Sequence, residues 1–136
     1  MIREICKDEA FLQIPSEKAT IEDLEIARDM VDTLIAHQEE CVGLAANMIG
    51  KSKNIIAVNI HGTIQVMLNP VITEAKNEYD AEEGCLSLEG VRKTKRFKSI
   101  VVEYDDLKFR KKSMKLSGFS AQIVQHEVDH LKGILI

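Results

Sequence analysis

Two histidines four positions apart, His126 and His130, constrain this chain more than any other feature of its sequence. On an α-helix, residues at this spacing lie on one face, one turn apart, and can bind the same metal ion. Glu127 directly follows the first histidine, where its carboxylate could reach a bound water and move its proton. Ser117 suits a helix N-cap and Gly133 a C-terminal stop, so we predict a helix between them.

The motif alone leaves a chance match open, because a histidine on an apolar helix is usually a packed or surface residue. Six residues follow His130, so we expect a third ligand from earlier in the chain. A thiolate is a strong ligand for first-row metals. Cys85 is favoured over Cys6, because Gly84 frees the backbone beside it and Cys6 lies near a terminus that we expect to be mobile.

The chain has 136 residues, which predicts one domain spanning residues 1–136. Its 18 basic and 22 acidic residues give a net charge of −4, so we expect no direct nucleic-acid binding. Basic residues do cluster between positions 92 and 98, with one aromatic among them. We interpret this cluster as a solvated strand or loop face, formed by Arg92, Lys93, Lys95, Arg96 and Lys98.

Cysteine usage and hydropathy bear on localisation. The three cysteines are an odd number without C-x-x-C spacing, which favours a reducing compartment. No apolar run approaches the roughly 20 residues of a membrane span, and the acidic start resembles no secretory signal. We therefore expect a cytoplasmic protein that does not interact with membranes.

Hydrophobic periodicity predicts an α+β fold. Residues 1–19 should be irregular, and a long helix should begin at Thr20 and end near residues 38–40. Residues 54–60 and 63–68 should form a hairpin across His61 and Gly62, with Asn69-Pro70 ending the second strand and extended structure resuming over residues 71–73. Further strands are expected over 99–104 and 107–116, before the terminal helix.

Three blocks then stand in order: Gly-Leu-Ala-Ala at 43–46, Glu-Gly-Cys-Leu-Ser at 83–87, and Gln-His-Glu-Val-Asp-His at 125–130. Together they resemble the peptide deformylases. The resemblance implies antiparallel β-sheets packed around a C-terminal metal-binding helix, plus one long N-terminal helix. It also implies one divalent metal ion, ferrous iron in most members and replaceable by zinc, nickel or cobalt.

The activity implied by this resemblance is removal of the formyl group from N-formylmethionyl peptides, including nascent chains at the ribosome. By motif, the metal ligands would be Cys85, His126 and His130, with water in the fourth position. Glu127 would act as the general base and then protonate the departing amine. Such chemistry fits the residue types, because three protein ligands leave one position open.

The same resemblance implies substrate contacts. The backbone N–H of Leu86 would stabilise the developing oxyanion. Val42, Gly43 and Gly84 would pair with the peptide backbone as an added strand.

Departures from the family pattern affect this expectation. Members usually read Gly-x-Gly-x-Ala-Ala-x-Gln, but Cys41 replaces the first glycine and Met48 the glutamine. A thioether cannot donate the hydrogen bond of an oxyanion-hole amide, and losing one such donor costs about 10²–10³ in rate. Asn47 is a doubtful replacement, since a neighbouring side chain in extended backbone points the other way. Gln122 also places an amide in a methionine pocket that is commonly apolar.

We therefore expect a metal-dependent deformylase with either reduced activity or an altered substrate preference. Two alternatives remain at this point. One is a catalytically impaired paralogue that binds metal or peptide N-termini without useful turnover, and the other is an unrelated metal hydrolase acting on a small amide.

Overall fold

Five strands form one sheet in chain order, and each strand is antiparallel to its neighbour. The computed structural model describes residues 1–136. The strands are β1 (Gly43–Ala45), β2 (Ile55–Ile60), β3 (Thr63–Cys85), β4 (Leu88–Asp105) and β5 (Lys111–Ser117). The predicted α+β class is confirmed, with the strands joined in a single sheet.

The predicted hairpin joins β2 to β3. His61 and Gly62 both have positive φ, 51° and 87°, as a two-residue turn between twisted strands requires. Across it Ile60 pairs with Thr63, and the pairing continues back to Ile55 and Leu68. The apolar residues at the start of β2 are fully buried, which places this hairpin in the core.

The predicted end of the second strand at Asn69-Pro70 is wrong, because β3 continues to Cys85. The register shifts between Leu68 and Val71, and Asn69 takes a φ of 52°. This bulge accommodates a proline that cannot donate to the ladder. The Asn69 amide bonds both backbone groups of Ala19, which anchors the bulge. The continuous strand carries Cys85 towards the terminal helix.

The predicted long helix is α2 (Leu24–Ala36), which follows a 3₁₀ turn at Ile21–Asp23. The Asp23 carboxylate accepts the Thr20 N–H at 2.8 Å, as expected for a capping box. The helix ends before the predicted residues 38–40, because the His37 N–H is shared between Thr33 O and Leu34 O, and the Gln38 N–H then bonds Ile35 O, three residues back.

The N-terminal segment is more ordered than we predicted. A short helix, α1 (Glu9–Leu12), begins where the Asp8 carboxylate caps the N–H groups of Ala10 and Phe11. Cys6 donates its backbone N–H to Met48 O at 2.7 Å. The segment therefore packs on the body of the protein, and the expectation of a mobile terminus around Cys6 is wrong.

The terminal helix α3 (Gly118–Leu131) lies where predicted, with Ser117 at the N-cap and Gly133 at φ 80° beyond its end. It packs against β1, β2 and β4. The Gln125 amide exchanges two 2.8 Å hydrogen bonds with the backbone of Phe97, which ties α3 to β4. One cluster of 24 buried apolar residues joins α2, α3 and strands β1 to β4. No helix is long and apolar enough to cross a lipid bilayer.

Candidate active site

The end of β3 and the middle of α3 bring three ligand-type side chains together. The ligand atoms of Cys85, His126 and His130 all lie within 4.8 Å of one another. The two histidines meet through their Nε2 atoms, which are 3.1 Å apart. Two imidazole nitrogens bound to one tetrahedral metal at about 2.1 Å would be roughly 3.3 Å apart. The donor types, and the spacing of the two histidine nitrogens, therefore fit a single divalent cation.

A buried carboxylate orients the first histidine. Glu83 Oε1 lies 2.8 Å from His126 Nδ1, so this nitrogen donates and Nε2 faces the second histidine. Burial would lower the pKa of His126, but the charge of Glu127 and hydrogen bonds to Cys85 and Glu83 raise it to about 10. Metal binding at Nε2 would therefore release a proton.

Glu83 is itself held by a buried ion-pair network. The Arg96 guanidinium donates to both Glu83 oxygens, at 2.7 and 2.9 Å, and also to Asp129 at 2.6 Å. Burial would raise the pKa of Glu83, but hydrogen bonds from His126, Arg96 and Gln122 lower it to about 2. The carboxylate is thus charged and fixed against α3.

This network corrects the prediction of a solvated basic face. Lys93, Lys95 and Lys98 are exposed, as expected, but Arg96 is only 3% exposed. On β4 its side chain lies on the inner face of the sheet, where Glu83 and Asp129 balance its charge. Side chains alternate between the two faces of a strand, so neighbouring basic residues such as Lys95 and Arg96 divide between solvent and interior.

His130 lies in the driest part of the site, with no exposed surface. Burial, and then the charge of His126, lower its pKa to about 3. It is therefore neutral, which is the form that binds a metal. Its backbone oxygen accepts the Asn47 amide at 2.8 Å, and its Nδ1 has no partner.

Glu127 has the properties of a proton-transfer group. Burial is the main cause that raises its pKa to about 7, where a carboxyl can both accept and return a proton near neutral pH. Its Oε1 has no hydrogen-bond partner. The other oxygen faces Gly43, where an added Cβ would lie 2.8 Å from Oε2. Glycine at this position leaves room for the carboxylate.

A cavity of about 570 Å³ opens beside these groups. One wall is β1 and the residues before it, and β1 ends the strand order, so one of its edges has no strand neighbour. The other wall is the β3–β4 turn, with α3 between them. Every predicted site residue except His130 lines the cavity: Val42, Gly43, Met48, Gly84, Cys85, Leu86, Gln122, His126 and Glu127.

The expected oxyanion donors are present only in part. The Leu86 N–H lies in the β3–β4 turn and makes no hydrogen bond within the chain. Met48 is 1% exposed, and its sulfur lies 3.4 Å from the Ala45 N–H as an acceptor. Asn47 turns away to His130 O, although it lies in a 3₁₀ turn (Ala46–Ile49) and not in the extended backbone assumed above. Its side chain does not line the cavity.

Sequence reasoning assigned no role to Glu83, Arg96 or Tyr79. Glu83 stands two residues before Cys85 on the same strand, a spacing at which strand side chains face the same way. That spacing could have indicated that Glu83 lies beside the candidate ligands. The Tyr79 hydroxyl lies 3.4 Å from Gln122 Oε1, a contact for which the sequence offers no signal.

The fold and the site together define the class of H-E-x-x-H metal hydrolases, here with a cysteine as the third candidate ligand. A model of the polypeptide deformylase family matches residues 2–136. The peptide deformylase of Clostridium beijerinckii is 51% identical over 136 residues, covering all of both chains. That of Dictyoglomus thermophilum is 42% identical over all of this chain and 91% of its own.

Comparison with solved structures gives the same family as the sequence comparisons. A class I type b peptide deformylase from Acinetobacter baumannii, bound to Met-Ala-Ser, superposes with a TM-score of 0.89 at 30% identity, covering 99% of this chain and 97% of that one. The peptide deformylase of Thermotoga maritima gives a TM-score of 0.89 at 30% identity, covering 99% and 95%. This chain belongs to the polypeptide deformylase family.

Proposed function

We propose that this chain removes the formyl group from N-formylmethionyl peptides by metal-dependent hydrolysis. The convergence of Cys85, His126 and His130 beside the buried Glu127, at the base of an open cavity, carries this proposal. Family membership supports it, as does the relative that binds Met-Ala-Ser, the tripeptide that such a reaction would release.

Cys85, His126 and His130 would hold the metal. One thiolate and two neutral imidazoles suit iron, zinc, nickel and cobalt, and we propose ferrous iron as the native ion. A divalent cation here would supply Lewis-acid chemistry, polarising the formyl carbonyl and making a water more acidic. Glu83 fixes the ring of His126, so the ligand cannot rotate away.

Glu127 would move the protons. The Glu127 carboxylate accepts a proton from the attacking water as the water oxygen adds to the formyl carbon. The C–N bond then breaks, and Glu127 returns the proton to the departing amine, giving formate and a free N-terminus. A pKa of about 7 suits both steps, and the closed surroundings of Glu127 keep bulk water from its carboxylate.

The peptide would lie as an added strand between β1 and the β3–β4 turn. Val42, Gly43 and Gly84 line this gap and would bond the peptide backbone. The free N–H of Leu86 would stabilise the oxyanion, while Met48 offers no second donor. We therefore propose a turnover below that of a site with two donors.

We further propose a cytoplasmic protein that acts on nascent chains at the ribosome. A reducing compartment would keep the Cys85 thiol available as a ligand.

One experiment tests the function. The protein is purified without oxygen, since iron held by a thiolate is prone to oxidation, and its metal content is measured. Formate release is then followed with formyl-Met-Ala-Ser, before and after chelation. We expect formate that depends on the metal. Metal-loaded protein that binds Met-Ala-Ser but releases no formate would instead identify an impaired paralogue, the alternative that Met48 favours.

A further inference from the structure

The cavity wall contains one amide, Gln122, which lies between apolar lining residues and the charged groups of the candidate site. Gln122 lies on α3 one turn before His126 and is half-buried. The apolar residues that line the same cavity include Val42, Leu86, Phe119 and Ile123. A pocket of this kind selects a ligand that is mostly apolar but has one hydrogen-bonding atom.

The orientation of this amide is fixed by its two partners. Gln122 Nε2 donates to Glu83 Oε2 at 2.9 Å, and Gln122 Oε1 lies 3.4 Å from the Tyr79 hydroxyl. A charged carboxylate can only accept, so the nitrogen must face Glu83 and the oxygen must face Tyr79. Arg96 holds Glu83 in place in turn.

The amide still has unused capacity. Its nitrogen carries two N–H groups, and these two contacts are its only hydrogen bonds. One N–H therefore remains to pair with an acceptor inside the cavity. The methionine thioether is a weak acceptor and makes little use of it, whereas a sulfoxide oxygen is a strong, uncharged acceptor on a side chain of the same length.

We propose, on the basis of the function proposed above, that the cavity accepts methionine sulfoxide as the first residue, so that N-formyl-methionine-sulfoxide peptides are substrates. In a wholly apolar pocket the sulfoxide oxygen would be buried without a partner, and this would reject the substrate. Here the Gln122 N–H would pair with it. The sulfoxide arrives already oxidised and leaves unchanged, so the reaction remains hydrolysis of the formamide bond.

The test compares kcat/KM for formyl-Met(O)-Ala-Ser and formyl-Met-Ala-Ser, with each sulfoxide epimer measured separately. For the better epimer we expect the wild-type ratio to lie within about tenfold of unity, and Gln122→Leu to lower it at least about tenfold, because the buried oxygen loses its partner. Gln122→Met, which keeps the side-chain length, should have the same effect if the leucine variant does not fold.

Gln65→Leu is the matched control. Gln65 is also half-buried, bonds only the Val66 carbonyl and lies outside the cavity, so the ratio should not change. A ratio unchanged in folded Gln122 variants, or a wild-type enzyme that rejects both epimers while cleaving formyl-Met-Ala-Ser, would overturn the proposal.

Failure of the proposed function is distinguishable from failure of this inference. If metal-loaded wild-type protein releases no formate from any peptide, calorimetric binding of Met(O)-Ala-Ser and Met-Ala-Ser replaces turnover. Comparable affinities in the wild type, with selective loss of the sulfoxide peptide in Gln122→Leu, would support the inference without catalysis. Absence of sulfoxide binding would reject it.

Discussion

Gly43 packs so closely against the Glu127 side chain that no atom fits between them. A Cβ added at Gly43 would lie 2.8 Å from Glu127 Oε2 and 2.9 Å from Ile123 Cγ2. The φ of Gly43 is not positive, so close approach, and not backbone conformation, requires glycine here. The same contact therefore fixes the position of β1 relative to the Glu127 carboxylate.

Replacing Gly43 with alanine should displace the Glu127 carboxylate. We expect at least a tenfold loss of kcat, with metal content retained, and a destabilisation of about 1–3 kcal/mol from overpacking. Gly84→Ala is the comparison for stability, since its Cβ would meet only Gly90 O at 3.6 Å. Equal unfolding temperatures for the two variants would contradict this account.

Met48→Gln should raise the deformylation rate at least about tenfold. The glutamine oxygen can accept the Ala45 N–H that Met48 sulfur now accepts, leaving its nitrogen to donate into the cavity. Met48→Leu, which adds no donor, is the control. A rate unchanged by the glutamine would show that residue 48 lies away from the oxyanion.

Glu127→Ala should retain the metal but lose activity by about 10²–10⁴, because we propose this carboxylate as the general base and not as a ligand. Elemental analysis and formate release measure the two properties separately. Loss of the metal in this variant would count against the assigned roles. Cys85→Ala provides the contrast, as it should lose both.

Arg96→Met should destabilise the protein by about 3–5 kcal/mol, because the buried Glu83 charge loses the guanidinium that bonds both of its oxygens. Chemical denaturation measures the difference. Lys93→Met, on the exposed side of the same strand, should change stability by no more than about 0.5 kcal/mol. Similar changes in stability for the two variants would instead support the earlier prediction that Arg96 lies on a solvated face.

The sequence predicted the metal-binding helix because the spacing of His126 and His130 reports a helical face directly. Cys85 was predicted as the third ligand from its glycine neighbour and from the family pattern. Local sequence does not indicate which distant strand end lies next to the helix face that carries the two histidines. Arg96 was misassigned because a run of basic residues does not reveal which face of a strand is inward. Its partners, Glu83 and Asp129, lie 13 and 33 residues away.

The predicted strand boundaries were wrong for a different reason. Asn69-Pro70 is a sound local signal for a strand end, but the Asn69 amide bonds the distant Ala19 backbone and stabilises a bulge. The short helix at Glu9–Leu12 and the Cys6–Met48 contact likewise depend on packing partners far along the chain. Tertiary contacts decided each of these cases against local propensity.

The short length of β1 would limit how many residues of a bound peptide can pair with it. A chain added along three residues of strand forms only a few backbone hydrogen bonds before the edge ends. In the proposed binding mode, recognition would therefore be confined to the first residues of the peptide, and the residues after them would extend into solvent. Such a short edge would suit the proposed processing of newly made chains whatever their later sequence.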